Sequence, residues 1–162
     1  RAAADSQIEL RIDARPKFDR QPVETRRYDG LGEAAAPYLA RALRDPARSN
    51  LALNTLESLG SAGATAMGEA LRTDDSTLRF RICERLAAMS GAGETALPAL
   101  GDLLDDPDPL VRLCALRTID RIGAIRAYPT IASRIRSLAG DPIGVVRVEA
   151  QRIAQLRGLW HE

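Results

Sequence analysis

The chain has 162 residues, of which 45% are hydrophobic, 28% are charged and only 4% are aromatic. This length suffices for one domain with its own core, and the scarcity of aromatic residues favours packed helices over an aromatic-rich β-sandwich. A formal net charge of +1 excludes a strong overall attraction to nucleic acid or to anionic membranes. No apolar run approaches the ~18 to 20 residues that a membrane-spanning helix needs.

Residues 1–31 differ in pattern from the rest of the chain. Ile8, Leu10 and Ile12 alternate with charged residues, as in a strand, before two prolines interrupt the alternation. The pattern predicts a short extended arm, with disorder as the alternative. The first residue is Arg1 rather than Met, so we expect that an upstream segment, which could have held a signal peptide or a membrane anchor, was removed. A cytoplasmic location is favoured, and a periplasmic or membrane-tethered one stays open.

Residues 32–158 are predicted to form four pairs of helices. Apolar residues recur at helical spacing, as at Leu97, Leu100 and Leu104. An Asp-Pro turn or a pair of aspartates separates the two helices of a pair, and glycine ends several of them. In chain order the predicted helices span 33–44 and 48–59, 65–72 and 77–89, 95–105 and 109–122, and 128–139 and 144–156. The tail, 159–162, lies outside this pattern.

The helix pairs are copies of one another. Leu78-Arg79 recurs as Val111-Arg112 and Val146-Arg147, and Asp106-Pro107 recurs as Asp141-Pro142. Self-similarity at this period indicates a solenoid, because one helix pair cannot bury its own apolar face and must stack on its neighbours.

The third copy, within residues 96–123, is the most complete. It contains Leu-Pro-Ala-Leu, Asp-Asp-Pro-Asp, Val-Arg and Ile-Gly in that order. These motifs resemble the HEAT-repeat family, in particular the short bacterial repeats of the phycobilisome-lyase type. The resemblance covers about residues 32–158 and implies an all-α fold: a right-handed α-solenoid of four HEAT-like helical hairpins, preceded by the extended N-terminal arm. Such repeats imply scaffolding far more often than catalysis, so we expect the chain not to be an enzyme.

The same resemblance implies a structural ladder between adjacent repeats, formed by the turn aspartate and the arginine six residues later. The pairs that fit this rule are Asp106 with Arg112 and Asp141 with Arg147. In the second repeat, Asp75 with Arg81 has the same spacing, whereas Arg79 is the better match by surrounding sequence, and both assignments stay open.

Each of the last three predicted return helices carries three arginines and one acidic residue, if Arg157, the residue directly after the last helix, is counted with it. Stacking would place the arginines in rows on one face, and in HEAT-like solenoids the return helices tend to line the concave side. We expect this face to bind an acidic segment of a protein partner, so that the chain acts as a scaffold or as an accessory subunit of a larger assembly. The residues expected to bind the partner are Arg79, Phe80, Arg81, Arg85, Arg117, Arg121, Arg152 and Arg157.

Three other interpretations of the arginine rows stay open. The rows could bind nucleic acid or a phosphate-bearing ligand, although the acidic turns would repel a duplex. The chain could be a helper or regulatory subunit of an enzyme such as a chromophore lyase. Finally, the rows could be a solvated helix face without a ligand.

Residue types that serve metal sites and nucleophilic catalysis are scarce. Cys83 and Cys114 do not form a Cys-x-x-Cys pair, and the one histidine, His161, is next to the end of the sequence. We therefore expect no metal site, no cofactor and no catalytic residue. The two cysteines are expected to be buried thiols, with a disulfide between neighbouring repeats as the alternative.

Overall fold

The computed structural model of the chain describes residues 32–161, and its regular secondary structure in this range is entirely helical. The predicted N-terminal arm, 1–31, lies outside the described residues. The α-helices are α1 (Gly32–Ala42), α2 (Ser49–Ser58), α3 (Ser61–Ala70), α4 (Ser76–Ala88), α5 (Leu97–Asp102), α6 (Pro109–Ile122), α7 (Pro129–Leu138) and α8 (Gly144–Leu156). Four 3₁₀ segments accompany them in this range: Ser90–Ala96, Leu103–Asp105, Ile125–Ala127 and Leu159–His161.

The helices are arranged in two layers. The first layer contains α1, α3, α5 and α7, each of which contacts the next member of the layer. The second layer, which we call the return-helix layer, contains α2, α4, α6 and α8 in the same order, and each return helix packs against the preceding first-layer helix. This linear arrangement of helix pairs is consistent with the predicted α-solenoid.

The return helix α6 illustrates how the sequence sets its helix boundaries. The side chain of Asp108 accepts a hydrogen bond from the main-chain N–H of Leu110 at 2.9 Å, so Asp108 is the N-cap. Pro109 follows at the first helical position, where a missing N–H costs nothing. At the other end Gly123 adopts a left-handed conformation, with φ of 91°, and caps the helix.

The first-layer helices depart from the predicted boundaries in two places. Helix α3 begins at Ser61 rather than at residue 65, because the small residues after Gly60 form its first turn instead of a loop. The predicted helix 95–105 is divided: only Leu97–Asp102 is α-helical, and 3₁₀ segments precede and follow it.

A continuous apolar core runs along the stack between the two layers. Leu56, Ile82, Leu116 and Ile153 are fully buried return-helix residues of this core. Gly63 allows an especially close approach of α2 and α3, since a Cβ atom at this position would collide with the main-chain carbonyl of Leu56. The core therefore crosses every boundary between adjacent helix pairs in the described range.

The C-terminal tail covers the last helix pair. Leu159 is completely buried, and its main-chain oxygen accepts a hydrogen bond from Arg136 Nη1 at 3.0 Å. Gln151 occupies the position in α8 that the buried Leu116 has in α6, and its amide donates to the carbonyl of Ala139. The neighbouring Trp160 remains 47% exposed. The outer side of α8 is thus partly polar, and Leu159 of the tail packs into the core of the fourth helix pair.

Candidate interaction surface

Arg79 connects the second and third helix pairs through a buried ion pair with Asp106. Its Nε lies 2.7 Å from Oδ2 of Asp106, and its Nη2 donates to Oδ1 at 3.1 Å. The same guanidinium also donates to the main-chain oxygen of Thr73 at 2.6 Å, within its own turn. The sequence predicts that Arg79 binds a partner. In the structure its side chain is buried in this contact and is not accessible to a partner.

The third and fourth helix pairs are connected in the same way. Arg112 donates to both carboxylate oxygens of Asp141, at 2.9 and 3.1 Å, and to the main-chain oxygen of Asp106 at 2.7 Å. Arg147 donates to the main-chain oxygen of Asp141 at 2.6 Å. The arginine six residues after a turn aspartate thus bonds to that aspartate's carbonyl, whereas the carboxylate belongs to the arginine of the preceding repeat.

The ladder in the structure is therefore shifted by one repeat from the pairing that the resemblance implied. It runs from Arg79 to Asp106 and from Arg112 to Asp141. Within residues 32–161 no corresponding ion pair joins the turns of the first and second helix pairs. Six residues before Arg79 the sequence has Thr73 rather than an aspartate, so the second turn offers no carboxylate at this position.

The turn aspartates fold the turns rather than cap the return helices. Oδ1 of Asp106 accepts from the N–H of Asp108 at 2.9 Å, and Oδ1 of Asp141 accepts from the N–H of Ile143 at 2.8 Å. The capping side chain of α6 is Asp108 instead, and Ile143, the N-cap residue of α8, makes no side-chain capping bond. Asp106 and Asp141 therefore shape the turns that precede these two helices.

Ionisation of Asp141 is favoured by its contacts. Burial by itself would raise the pKa of this carboxyl, but hydrogen bonds from Arg112 and from the N–H of Ile143 lower it below the ordinary value. The buried carboxylate of Asp141 therefore stays ionised, and as an anion it can form the ion pair with Arg112 that connects the two repeats.

The outward side of the return-helix layer forms a regular surface that we call the return-helix face. On each of α4, α6 and α8 it consists of four residues at spacing i, i+4, i+7 and i+11, which places them on one side of a helix. All of them are exposed or half-buried. They are Thr77, Arg81, Glu84 and Ala88 on α4; Leu110, Cys114, Arg117 and Arg121 on α6; and Val145, Glu149, Arg152 and Leu156 on α8.

Arginines at the α4 end of this face contact α2. Arg81 donates to Oδ1 of Asn50 at 2.6 Å and to the hydroxyl of Ser49 at 3.1 Å. Arg85, beside the face, lies 3.2 Å from a carboxylate oxygen of Glu57. These two arginines therefore connect neighbouring return helices.

Asp120 of α6 is the centre of a larger ionic cluster with α8. It accepts hydrogen bonds from Arg152 at 2.8 Å and from Arg157 at 2.7 Å. Burial would raise the pKa of Asp120, but the hydrogen bonds and charges of these two arginines lower it. Arg152 also contacts Glu149, and Glu149 lies 3.6 Å from Arg117. Much of the basic charge predicted for this face is thus neutralised by carboxylates of adjacent repeats.

Two arginines on α6 remain open to solvent. The Arg117 side chain is 64% exposed, and among the described residues its one ion pair, with Glu149, is long at 3.6 Å. Arg121 is exposed, and the described part of the chain offers it no ion pair. Phe80, predicted as a binding residue, is half-buried and packs against the core. Of the predicted partner-binding residues, Arg117 and Arg121 have the most freely accessible charge.

Exposed apolar side chains flank these arginines, and the sequence analysis did not single them out. Leu110 and Val145, at equivalent positions of α6 and α8, are each 60% exposed, and Leu156 is 68% exposed. The i, i+7, i+11 spacing of Leu110, Arg117 and Arg121 was available in the sequence and could have identified this mixed surface. Isolated exposed apolar residues are ordinary, but three on one face with free arginines mark a candidate contact surface.

Three further features bear on function in residues 32–161 besides the candidate surface: metal-ligand clusters, membrane-spanning helices and grooves. This range contains no group of three or more histidine, cysteine or acidic side chains that could hold a metal ion. None of its helices combines the length and apolarity needed to cross a bilayer. An open groove of about 380 Å³ between α1 and α3 is lined mainly by small residues, among them Ala36, Ala62 and Ala66.

Comparison with known proteins agrees with the repeat architecture. A family model described as HEAT repeats matches residues 64–152, which is more than half of the chain. Comparison with curated proteins and with solved structures finds no match. The match spans α4 and α6 completely and reaches from α3 into α8, the region that carries both the ladder and the return-helix face. This chain belongs to the HEAT-repeat family.

Proposed function

We propose that this chain is a non-catalytic scaffold or accessory subunit whose return-helix face binds an acidic segment of a protein partner. HEAT repeats generally serve as protein-interaction scaffolds, which gives the broad class of function. The observation that carries the specific proposal is the pair of accessible arginines on α6, Arg117 and Arg121, between the exposed apolar residues Leu110 and Leu156.

The proposal includes the finer architecture that the family resemblance implies. We propose four helical hairpins wound in a right-handed solenoid, with the return helices on the concave side. A partner segment lying along α6 and α8 would then contact two repeats at once, and its affinity would depend on both.

Because only two arginines of the face have a freely accessible charge, the face suits a partner that carries few carboxylates at matching positions. Arg81, Arg85, Arg152 and Arg157 already have partners within the stack, so a ligand carboxylate would compete with Asn50, Glu57 or Asp120 for them. Arg121 can bind a ligand carboxylate without such competition. Arg117 can replace its long contact with Glu149 by a shorter contact with the ligand carboxylate.

The apolar residues define the rest of the partner segment. Leu110 and Val145 lie at the end of the face near the turns, and Leu156 lies at the opposite end. Val145 and Leu156 are eleven residues apart on α8, which corresponds to about 16 Å along the helix axis. We propose an amphipathic helix that carries apolar residues at its two ends and acidic residues between them, laid across the exposed sides of α6 and α8.

Nucleic-acid binding through the same arginine rows is the competing function, and the ionic contacts weigh against it. Glu84, Asp120 and Glu149 lie on or beside the same face, and they would repel a phosphate backbone passing along it. A role as helper of an enzyme such as a chromophore lyase is compatible with the proposed scaffold, and the partner's identity would decide it.

A peptide-binding experiment tests the proposal directly. The probe is a synthetic amphipathic peptide with leucine near each end and glutamates at the helical positions between them. Its affinity for the wild-type chain is compared with that for R117E/R121E and for R44E/R72E, in which two exposed arginines outside the face make the same change in charge. We expect R117E/R121E to weaken binding at least about tenfold, or roughly 1.4 kcal/mol, and the control to match the wild type.

Two outcomes would overturn the proposal. Equal binding by both double variants, with native helicity by circular dichroism, would place the contact elsewhere. Tighter binding of an oligonucleotide than of the peptide, with affinity falling steeply as salt is added, would favour the nucleic-acid function. Capture from the native host followed by cross-linking would then identify the natural partner and the helix that contacts it.

A further inference from the structure

The two cysteines of the chain face each other across the interface between α4 and α6. The hydroxyl of Thr118 on α6 donates to the main-chain oxygen of Cys83 at 3.1 Å. The sulfur of Cys114 lies 3.8 Å from the main-chain oxygen of Phe80, one turn earlier on α4. These two contacts place Cys114 against the turn of α4 that runs from Phe80 to Cys83, although the two cysteines are far apart in sequence. The interface between neighbouring repeats thus brings the two thiols into the same region of the structure.

The two thiols differ in their access to solvent. Cys83 is completely buried in the core, whereas Cys114 is half-buried and belongs to the return-helix face. A dissolved reagent can therefore reach Cys114, whereas Cys83 is shielded from it while the chain is folded.

Their surroundings also make the two thiols chemically unequal. Interaction with Cys114 is the largest cause of a raised pKa at Cys83, to which burial adds, and interaction with Cys83 is the largest cause of a lowered pKa at Cys114. The hydroxyl of Thr118 and the charge of Arg117 lower the pKa of Cys114 further, against the opposing effects of burial and of Glu84. Cys114 is accordingly the better nucleophile of the two at neutral pH.

We propose that Cys83 and Cys114 are an oxidisable pair that forms a reversible disulfide between α4 and α6. The oxidant is a small-molecule disulfide of the glutathione class. The Cys114 thiolate attacks one sulfur of this disulfide, whose S–S bond breaks and releases one small thiolate. Cys83 then gives its proton to that thiolate or to water, and its sulfur attacks Cys114 in the mixed disulfide. The second small thiol leaves, so two protein thiols lose two electrons while one small disulfide is reduced to two thiols.

The disulfide would connect the two repeats directly below the return-helix face. It would fix the spacing of α4 and α6 and remove the free thiol of Cys114 from the surface. Because a cross-link restricts the unfolded chain, the oxidised protein should have a higher midpoint of thermal unfolding than the reduced protein. This inference does not rest on the proposed binding of an acidic partner.

Treatment of the folded chain with oxidised glutathione tests the proposal. We expect intact-protein mass spectrometry to show the loss of two hydrogens without a lasting glutathione adduct. Peptide mapping should find Cys83 joined to Cys114, and dithiothreitol should restore both thiols. In C83A the resolving thiol is absent, so Cys114 should keep a stable glutathione adduct. In C114A the buried Cys83 should stay unmodified while the chain is folded.

The wild-type peptide map decides the question even if a variant fails to fold. A lasting glutathione adduct on Cys114 beside a free Cys83 would overturn the proposal, as would two free thiols after prolonged exposure. A disulfide between two molecules, instead of within one, would overturn it as well.

Discussion

Arg112 and Asp141 lie 29 residues apart in the sequence and are joined by two parallel hydrogen bonds, from Nε to Oδ2 at 2.9 Å and from Nη2 to Oδ1 at 3.1 Å. Both side chains are nearly buried, so neither can exchange its partner for water. The geometry is the bidentate one in which arginine exceeds lysine as a carboxylate partner. This single contact connects two repeats, so its removal should destabilise the interface between them.

Replacement of Arg112 by methionine should lower the free energy of unfolding by about 3–5 kcal/mol, because it leaves the buried carboxylate of Asp141 without its charged partner. Arg147 supplies the matched control: it bonds to carbonyls of its own turn, and no carboxylate in residues 32–161 forms an ion pair with it. R147M should therefore cost only about 1 kcal/mol. Denaturant unfolding of both variants measures the difference, and equal losses would show that the ladder does not stabilise the stack.

Stability should decrease in acid through the carboxylates of Asp141 and Asp120. Both have a pKa below the ordinary value in the folded chain, whereas an unfolded aspartate titrates near 3.9. Their contribution is therefore complete above about pH 4–5 and is lost as the pH falls through the folded pKa values. The stability difference between the wild type and D141N should be largest at neutral pH and shrink in acid. Denaturant titrations at several pH values check this, and a constant difference would contradict it.

Substitution of Gly63 by alanine should destabilise the contact between α2 and α3. The new methyl group would overlap the main-chain carbonyl of Leu56, which cannot move aside as a flexible side chain would. We expect a loss of about 1–3 kcal/mol. A Cβ atom at Gly91 meets nothing within 4 Å, and its backbone is not left-handed, so G91A should stay within about 0.5 kcal/mol of the wild type. Thermal unfolding of both variants tests the contrast, and similar melting midpoints would refute it.

The tail should stabilise the fourth helix pair through Leu159 and not through its neighbour Trp160. Leu159 is fully buried, so L159A should cost about 2–5 kcal/mol by leaving a cavity. Trp160 is 47% exposed, and W160A should cost less than about 1 kcal/mol. A larger loss for W160A than for L159A, measured by denaturant unfolding, would mean that the aromatic ring holds the tail in place.

Most of the helices were predictable because turn residues and apolar spacing in the sequence favour the same boundaries as packing between the helices does. The boundaries of α6 and α8 match the prediction, since Asp-Pro turns precede both helices and apolar residues follow at helical spacing. The start of α3 was missed because glycine, serine and alanine between residues 60 and 64 favour a turn locally, while contact with α2 stabilises the helix.

The candidate surface was less predictable because contacts between repeats determine it. The sequence placed Arg81, Arg152 and Arg157 on one face, but the side chains of other repeats that bind them lie 31 to 37 residues away along the chain. The ladder was shifted for the same reason. A spacing of six residues identifies the bond from Arg112 to the carbonyl of Asp106, whereas the carboxylate partner depends on how adjacent repeats stack.

The absence of a ladder rung between the first two helix pairs of the described range makes the array mechanically uneven. Beyond that boundary, buried ion pairs add to the hydrophobic contact between helix pairs. Between α2 and α4, the ionic contact that adds to the shared core lies at the surface, as in Arg85 with Glu57. In a linear array, each unit depends only on its immediate neighbours. Helices α1 and α2 should consequently detach first under heat or tension, while α3 to α8 persist as a shorter folded array with slower amide hydrogen exchange.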